Sequence, residues 1–177
     1  EKLLLELPVT DKGLTLADHG AGKSYIGFII YDLFFNAANT ARLGHIYGIE
    51  TRSELVQKSR ELAARLGFKG MSFLNLSVAE SAQSADLPPK IDIVTALHAC
   101  DTATDDALLL AVRSNADHVA VVPCCQAEVA RQLAEAKAPS PAVAPLFEHP
   151  WHRREFGSHL TNVVRALALE ASGYKVT

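Results

Sequence analysis

The chain has 177 residues, of which 49% are hydrophobic and 21% charged, a composition that suits a globular domain with one sizeable core. Its formal net charge of −3 argues against tight, nonspecific nucleic-acid binding, which needs many cationic contacts to phosphates. No apolar run reaches the roughly 20 residues of a membrane-spanning helix, and the first residues alternate charge with leucine, unlike a signal peptide.

Apolar runs and turn residues divide the chain into alternating strands and helices. Five short runs predict buried parallel strands, at residues 14–17, 45–49, 71–76, 91–97 and 117–122. Helical patterns cover residues 23–38, 54–66, 104–114, 127–137 and 161–172. Ser53 is the predicted N-cap of the second helix, and Gly67 is its predicted C-cap. Residues 139–150 contain four prolines and predict an extended linker or loop.

This alternation predicts an α/β, Rossmann-like fold of three layers, in which a parallel sheet carries helices on both faces. Ligands bind such sheets at the carboxyl ends of the strands, and the unusual residue clusters of this chain lie at those ends. We expect residues 1–177 to form a single domain. Because the chain begins at Glu1 and stops at Thr177, where a sixth strand should start, we expect truncation at both ends and a missing C-terminal hairpin.

The segment Asp18-His-Gly-Ala-Gly-Lys-Ser24 follows the first predicted strand and opens a helix. Small residues let a ligand approach the backbone, and a helix N-terminus offers unpaired N–H groups. The segment therefore predicts a cradle for a nucleoside cofactor, with Asp18, Gly20, Gly22 and Lys23 as candidate contacts.

Two other interpretations of this glycine loop stay open. One is a phosphate-binding P-loop, because Gly-Lys-Ser ends that motif. However, position 17 is Ala where the P-loop needs Gly, and Asp18 would repel phosphates. The other is a tight turn that binds nothing.

Later strand ends add candidate contacts for such a cofactor. Glu50 ends the second predicted strand, where an acidic side chain can accept both ribose hydroxyl hydrogens. The alternative is a solvated acid before a helix. NAD is disfavoured because the loop lacks the third glycine of Gly-x-Gly-x-x-Gly in register. After the third strand, Ser77 or the Val78 backbone can meet an adenine edge, although a plain loop explains this segment nearly as well.

The fourth predicted strand leads into a cluster of reactive side chains. His98, Cys100 and Asp101 place an imidazole, a thiol and a carboxylate above the sheet edge. His98 and Asp101 are the candidate general bases. Thr104 and Asp105 either belong to this site or cap the next helix.

The fifth predicted strand ends in Pro123-Cys124-Cys125. With Cys100 these make three cysteines, an odd number that forms a poor disulfide framework and favours a reducing, cytoplasmic environment. The spacing does not match a Cys-x-x-Cys metal hook, and adjacent cysteines are expected to point apart. We therefore predict no metal site and a buried, inert role for at least one thiol.

A basic and aromatic cluster occupies residues 149–154 and contains Trp151, Arg153 and Arg154. It predicts a clamp for an acidic or stacked substrate such as RNA. The alternative is a solvated loop anchored by Trp151.

Four segments together resemble the "methyltransferase domain" group of Rossmann-fold, class I enzymes that depend on S-adenosylmethionine. These segments are Asp18–Ser24, Tyr47–Glu50, Ala96–Asp105 and Val122–Gln126. The last helix and Gly173-Tyr174 also fit, so the resemblance spans nearly the whole chain. The chain is more distantly similar to tRNA 2′-O-methyltransferases around its three cysteines, although that family usually has Gly in place of Asp101.

The resemblance implies S-adenosylmethionine as the cofactor, with contacts at Asp18, Gly20, Gly22 and Glu50. It also implies that Leu97 and His98 lie beside the methyl-transfer centre. The leading hypothesis is a methyltransferase with a small-molecule or RNA acceptor. The alternatives are a non-catalytic binding module that keeps this fold and a P-loop nucleotidase.

Overall fold

The computed structural model describes residues 13–36, 43–81, 83–97 and 99–177 of the chain. Five strands in this part of the chain pair in parallel in one sheet. They are β1 Leu14–His19, β2 Gly44–Glu50, β3 Met71–Asn75, β4 Ile93–Ala96 and β5 His118–Val121. All five predicted strands are confirmed, with bounds that agree to within two residues at each end.

The strand order is β3-β2-β1-β4-β5. The chain moves outward from β1 to β3 and then returns to the other side of β1, so the order reverses between β1 and β4. Asp18 of β1 is in register with Thr95 of β4. The carboxyl ends of strands beside such a switch point form the usual ligand crevice of an open α/β sheet.

Helices follow the strands in the predicted alternation. They are α1 Tyr25–Ile30, which continues as a π-helical turn at Tyr31–Phe35, α2 Ser53–Leu66, α3 Val78–Ser81, α4 Thr102–Arg113, α5 Glu128–Glu135, α6 Ala144–Glu148 and α7 Pro150–Ala171. Residues 37 and 38 of the first predicted helix lie outside the described residues. Gly67 is confirmed as the C-cap of α2, with φ +71°. The predicted N-cap is wrong, because Ser53 is already helical and Arg52 holds the cap position without a side-chain cap bond.

The prediction of an extended linker over residues 139–150 is also wrong. A 3₁₀ turn at Pro141–Val143 leads into α6, and α7 begins at Pro150 instead of residue 161. Each proline of these elements lies in a first turn. Proline is tolerated there because the N–H that it lacks has no partner within the helix. The prolines therefore start helices in this segment.

The core has two parts, one on each face of the sheet. On one face α1 and α2 pack over a cluster that includes Leu16, Ile46 and Phe73. On the other face α4 covers a cluster that includes Ile49 and Val94. The predicted three-layer, Rossmann-like architecture is thus confirmed. Among the described residues no helix is long and apolar enough to cross a membrane.

Candidate functional site

The glycine loop, residues 18–24, joins the ends of three strands. Gly20 and Gly22 have φ values of +67° and +58°, which glycine adopts without the steric cost that a side chain brings. A Cβ atom on Gly20 would lie 3.3 Å from the Cβ of Ala99, just after β4. The Ala21 N–H donates to the Ile49 carbonyl of β2 at 3.0 Å. The loop is therefore held against both neighbours of β1.

Asp18, the first residue of this loop, is only 5% exposed. The Thr95 hydroxyl donates to its carboxylate at 2.8 Å, which fixes the acid across the switch point between β1 and β4. Asp18 thus lies where the sequence predicts a cofactor contact. That role stays a prediction.

Glu50 lies at the end of β2 and is 7% exposed. Its Oε2 accepts from the Gly22 N–H at 2.9 Å. Arg52 donates to both oxygens, from Nε to Oε1 at 3.1 Å and from Nη2 to Oε2 at 3.0 Å. The Arg52 backbone N–H adds a bond of 3.0 Å to Oε1. Glu50 is therefore buried and hydrogen-bonded to the glycine loop, and the alternative of a solvated acid is wrong.

These contacts also set the charge of Glu50. Burial alone raises the pKa of this carboxyl, but the bonds and charge of Arg52 and the Gly22 N–H outweigh burial and lower the pKa to about 2. The side chain is consequently an anion, which accepts hydrogen bonds and donates none, over the whole physiological range.

The last residues of the loop do not form a phosphate cradle. Lys23 is exposed, and its Nζ lies 5.8 Å from the centroid of the Tyr25 ring. Ser24 is 1% exposed, and its hydroxyl has no hydrogen-bond partner among the described residues. A P-loop directs its lysine to the phosphates and its serine to a metal ion. Here the lysine lies over an aromatic ring and the serine is buried.

His19 is a buried residue of this loop that no sequence pattern singles out. It is 4% exposed, and within the described part of the chain neither ring nitrogen has a hydrogen-bond partner. Burial lowers the pKa of His19, while the charge of Glu50 opposes this effect. The imidazole is therefore neutral near pH 7.

Asn75, the last residue of β3, is hydrogen-bonded to the backbone at the end of β2. The Asn75 amide donates to the carbonyls of Glu50 and Thr51, at 3.0 and 2.8 Å. Ser77 donates from its backbone N–H and hydroxyl to Glu80, at 2.7 and 2.6 Å, so the Glu80 carboxylate pairs the backbone N–H that precedes α3. These bonds lower the pKa of Glu80. The Ser77 side chain thus has a local structural partner, and the adenine contacts predicted for Ser77 and Val78 stay predictions.

Two predicted site residues follow β4, and the structure describes only one of them. Leu97 is half-buried and lines an apolar groove with Leu16, Ile26 and Ile29, so an apolar wall continues from the sheet edge. His98 lies outside the described residues, and its roles as a base and as a cofactor contact stay predictions.

Asp101, the other candidate base, accepts hydrogen bonds at both of its carboxylate oxygens. Its Oδ1 accepts from the N–H groups of Ala127 and Glu128 at 3.1 and 3.0 Å, before and at the start of α5. Its Oδ2 accepts from Arg131 Nη2 at 2.8 Å. Burial raises the pKa of Asp101, but these bonds together lower it below its ordinary value. A carboxylate held in this way is a weak base, so the contacts favour a role in anchoring α5.

Arg165 anchors α7 to the same region. It is 7% exposed, and its guanidinium donates to both carboxylate oxygens of Asp105 at 2.6 and 2.9 Å and to the Asp101 carbonyl at 2.8 Å. Thr104 donates back to the Ala99 carbonyl at 2.5 Å. Asp105 is therefore an ion-pair partner rather than a helix cap.

The three cysteines converge, contrary to the sequence-based expectation. Their sulfur atoms all lie within 4.8 Å of one another, and the sulfurs of Cys100 and Cys124 are 2.9 Å apart. All three residues are exposed. The expectations that adjacent cysteines point apart and that one thiol is buried are both wrong, because the turn after β5 directs Cys124 and Cys125 towards the end of β4.

The basic and aromatic cluster lies at the start of α7, so the solvated-loop alternative is wrong. Trp151 is 70% exposed and Arg154 is exposed. Arg153 is instead bonded to the Phe147 carbonyl at 2.9 Å. Two members of the cluster thus face solvent, and a third supports the helix junction.

The fold is that of a class I methyltransferase domain. The chain belongs to the family described as "Methyltransferase domain", whose model matches residues 1–132, which confirms the resemblance seen in the motifs. No curated protein matches the chain.

Solved structures with this fold include several methyltransferases. The chain is similar to a SAM-dependent methyltransferase from Aquifex aeolicus, with 20% identity and a TM-score of 0.44 over 64% of this chain and 56% of that one. An rRNA methylase from Streptococcus thermophilus has 13% identity and a TM-score of 0.45, over 63% and 59%. A magnesium protoporphyrin IX methyltransferase from Synechocystis, with bound SAH, has 19% identity and a TM-score of 0.42, over 58% and 43%. The chain thus spans about half the length of these proteins, and the likeness concerns the fold alone.

Proposed function

We propose that this chain is the cofactor-binding core of an S-adenosylmethionine-dependent methyltransferase. Membership of the methyltransferase-domain family supports the class of reaction. The single observation that carries the cofactor assignment is the buried Glu50 carboxylate, which is bonded to the Gly22 N–H at 2.9 Å at the end of β2. An acid in this position suits the two hydroxyl groups of a ribose.

The residues around Glu50 fit a ribose in both charge and access. With Arg52 bonded to it, the carboxyl has a pKa of about 2, so a ribose approaches an ionised acceptor. Each oxygen receives one donor from the Arg52 side chain, and two adjacent hydroxyl groups supply the same number of donors. Because the Arg52 side chain is 59% exposed, its guanidinium can move into water at small cost. We propose that ribose binding replaces Arg52 on Glu50.

The glycine loop suits the methionine end of the same cofactor. Gly20 and Gly22 have no side chains, so their backbone is open to close approach. The bound cofactor would supply the methyl group from its sulfonium. The chain's own residues hold the cofactor, with the carboxyl groups of Asp18 and Glu50 at the ends of β1 and β2.

The contribution of the chain to the transfer step is mainly to position the reactants. Leu97 offers an apolar wall beside the switch point. Because Asp101 is held by three donors, we propose His98 as the base that takes a proton from the acceptor, where one is needed.

For the acceptor, RNA is one candidate class and a small molecule is the other. The exposed Trp151 and Arg154 at the start of α7 suit a stacked, anionic ligand. The net charge of −3 requires such a contact to be local. Methylation assays against tRNA, rRNA and small-molecule pools distinguish these acceptors, and they also separate an enzyme from a non-catalytic binding module.

Calorimetric titration tests the cofactor assignment itself. We expect S-adenosylhomocysteine to bind with a micromolar Kd, and ATP with magnesium to show no binding at the same concentrations. Binding of ATP with magnesium in the absence of S-adenosylhomocysteine binding would contradict the proposal and restore the P-loop alternative.

A further inference from the structure

The three thiols form the densest group of soft ligands in the described part of the chain, and the proposed methyl transfer does not use them. Cys100 follows β4, while Cys124 and Cys125 follow β5. The sulfur atoms all lie within 4.8 Å of one another, although Cys100 is separated by 24 residues from Cys124. Neighbouring strands therefore bring the thiols together.

The size of this triangle suits a metal ion. Zinc binds thiolate sulfur at about 2.3 Å with tetrahedral geometry, which separates ligand sulfurs by about 3.8 Å. The upper limit of 4.8 Å and the 2.9 Å between Cys100 and Cys124 lie on either side of this value. Adjustments of about 1 Å in exposed side chains bring the sulfurs to the tetrahedral spacing.

The backbone that carries the thiols is fixed by other contacts. The Asp101 N–H donates to the Cys125 carbonyl at 2.7 Å, which joins the loop after β4 to the loop after β5. The Asp101 carboxylate binds the backbone N–H groups of Ala127 and Glu128. These bonds keep the two loops together independently of the sulfurs, which is the support that metal ligands need from their surroundings.

We propose that Cys100, Cys124 and Cys125 form a three-thiolate site for zinc or another thiophilic divalent cation. All three residues are exposed, so the fourth coordination position is open to water or to an exogenous ligand. Three protein ligands with one open position are typical of zinc sites that act on a ligand, whereas structural sites have four protein ligands. The site lies next to Ala99, whose Cβ is 3.3 Å from the position that a Cβ on Gly20 of the glycine loop would take.

Thiol chemistry gives this site a further property. A cysteine binds a divalent cation as the thiolate, so each of the three thiols must lose its proton on binding. Metal binding at this site is therefore expected to release protons.

Cobalt(II) uptake tests the site without reference to methyl transfer. The whole chain is reduced, treated with a chelator, freed of it and titrated with cobalt(II), and the thiolate-to-cobalt charge-transfer band is followed. We expect one ion per chain, displacement by zinc, and at least tenfold weaker binding in each of Cys100→Ser, Cys124→Ser and Cys125→Ser. The matched control is Val122→Ser, which alters an exposed side chain of the same turn and leaves all three thiols.

Circular dichroism of each variant checks that it is folded, and the stoichiometry of the unaltered chain is independent of any variant. The proposal is overturned if the reduced chain takes up no cobalt. It is also overturned if any one of the three serine variants binds cobalt as tightly as the unaltered chain, since that cysteine is then not a ligand.

Discussion

Glu50 and Asp101 are two acids with similar surroundings and different partners. Each lies at or after the carboxyl end of a strand, each accepts backbone N–H groups, and each has a lowered pKa. Each also pairs with an exposed arginine, Arg52 on Glu50 at 59% and Arg131 on Asp101 at 60%. The arginines differ in position, because Arg52 lies two residues from Glu50, whereas Arg131 belongs to α5, whose start Asp101 also binds. We therefore expect Glu50 to be the acid that exchanges its cation for a ligand, because the bonds of Asp101 hold a helix in place.

The largest expected effect is a loss of folding stability when Asp101, and not Glu50, is the acid that holds a helix. Asp101→Ala removes the acceptor of two N–H groups and of Arg131, so we expect the free energy of unfolding to fall by about 2 kcal/mol, with less than a threefold change in the Kd of S-adenosylhomocysteine. Urea denaturation and calorimetry measure the two quantities. Glu135→Ala, at the far end of α5, is the control and should change stability by less than about 0.5 kcal/mol. A tenfold loss of affinity in Asp101→Ala would place this acid in the cofactor site.

The second prediction concerns cofactor affinity at Glu50. Glu50→Gln keeps the shape of the side chain but loses an anionic acceptor, so we expect S-adenosylhomocysteine to bind at least tenfold more weakly, a cost of about 1.4 kcal/mol. Isothermal titration calorimetry provides the Kd. Glu54→Gln, an exposed acid in the first turn of α2, is the matched control. Equal affinities in the two variants would refute the ribose role of Glu50.

The pH dependence of stability tests the charge of Glu50. Its pKa is lowered from 4.5 to about 2 in the folded chain, so folding favours the ionised form. This contribution is fully present above pH 4.5 and is lost as the pH falls towards 2. We expect the stability difference between the unaltered chain and Glu50→Gln to be constant above that range and to shrink by on the order of 1 kcal/mol within it. Urea denaturation at several pH values measures this difference, and a difference that stays constant on acidification would contradict the lowered pKa.

The smallest expected effect concerns Arg52 and tests whether ribose displaces its guanidinium from Glu50. If ribose replaces Arg52 on Glu50, Arg52→Met should leave the Kd of S-adenosylhomocysteine within about twofold or make binding slightly tighter, because less has to be displaced. Calorimetry compares it with Arg65→Met, a control at the other end of α2. A tenfold weaker affinity in Arg52→Met alone would show that the arginine itself binds the cofactor.

Much of the fold follows from local patterns in the sequence. The strands are apolar runs that end in turn residues, and Glu50 and the glycine loop lie at strand ends because a parallel sheet gathers those ends at one edge. The prediction of an extended proline-rich segment is wrong, because a proline in a first turn favours the start of a helix. The local sequence pattern does not decide between a helix start and an extended chain. The packing of α6 and α7 against neighbouring helices decides between them.

The polar contacts of the site do not follow from local sequence patterns. The ion pair of Arg165 with Asp105 spans 60 residues, and the meeting of Cys100 with Cys124 depends on β4 and β5 being neighbours. Such contacts depend on tertiary distance, which hydrophobic periodicity does not encode. The same holds for Asp101, because its donors on and before α5 are visible only once that helix is positioned.

A crystal structure of the chain with S-adenosylhomocysteine is the most direct test of the central claim. We predict that the ribose hydroxyl groups donate to the Glu50 carboxylate, that the Arg52 guanidinium has moved into solvent, and that Asp101 still binds the start of α5. A ribose bound elsewhere, with Arg52 still on Glu50, would contradict the account.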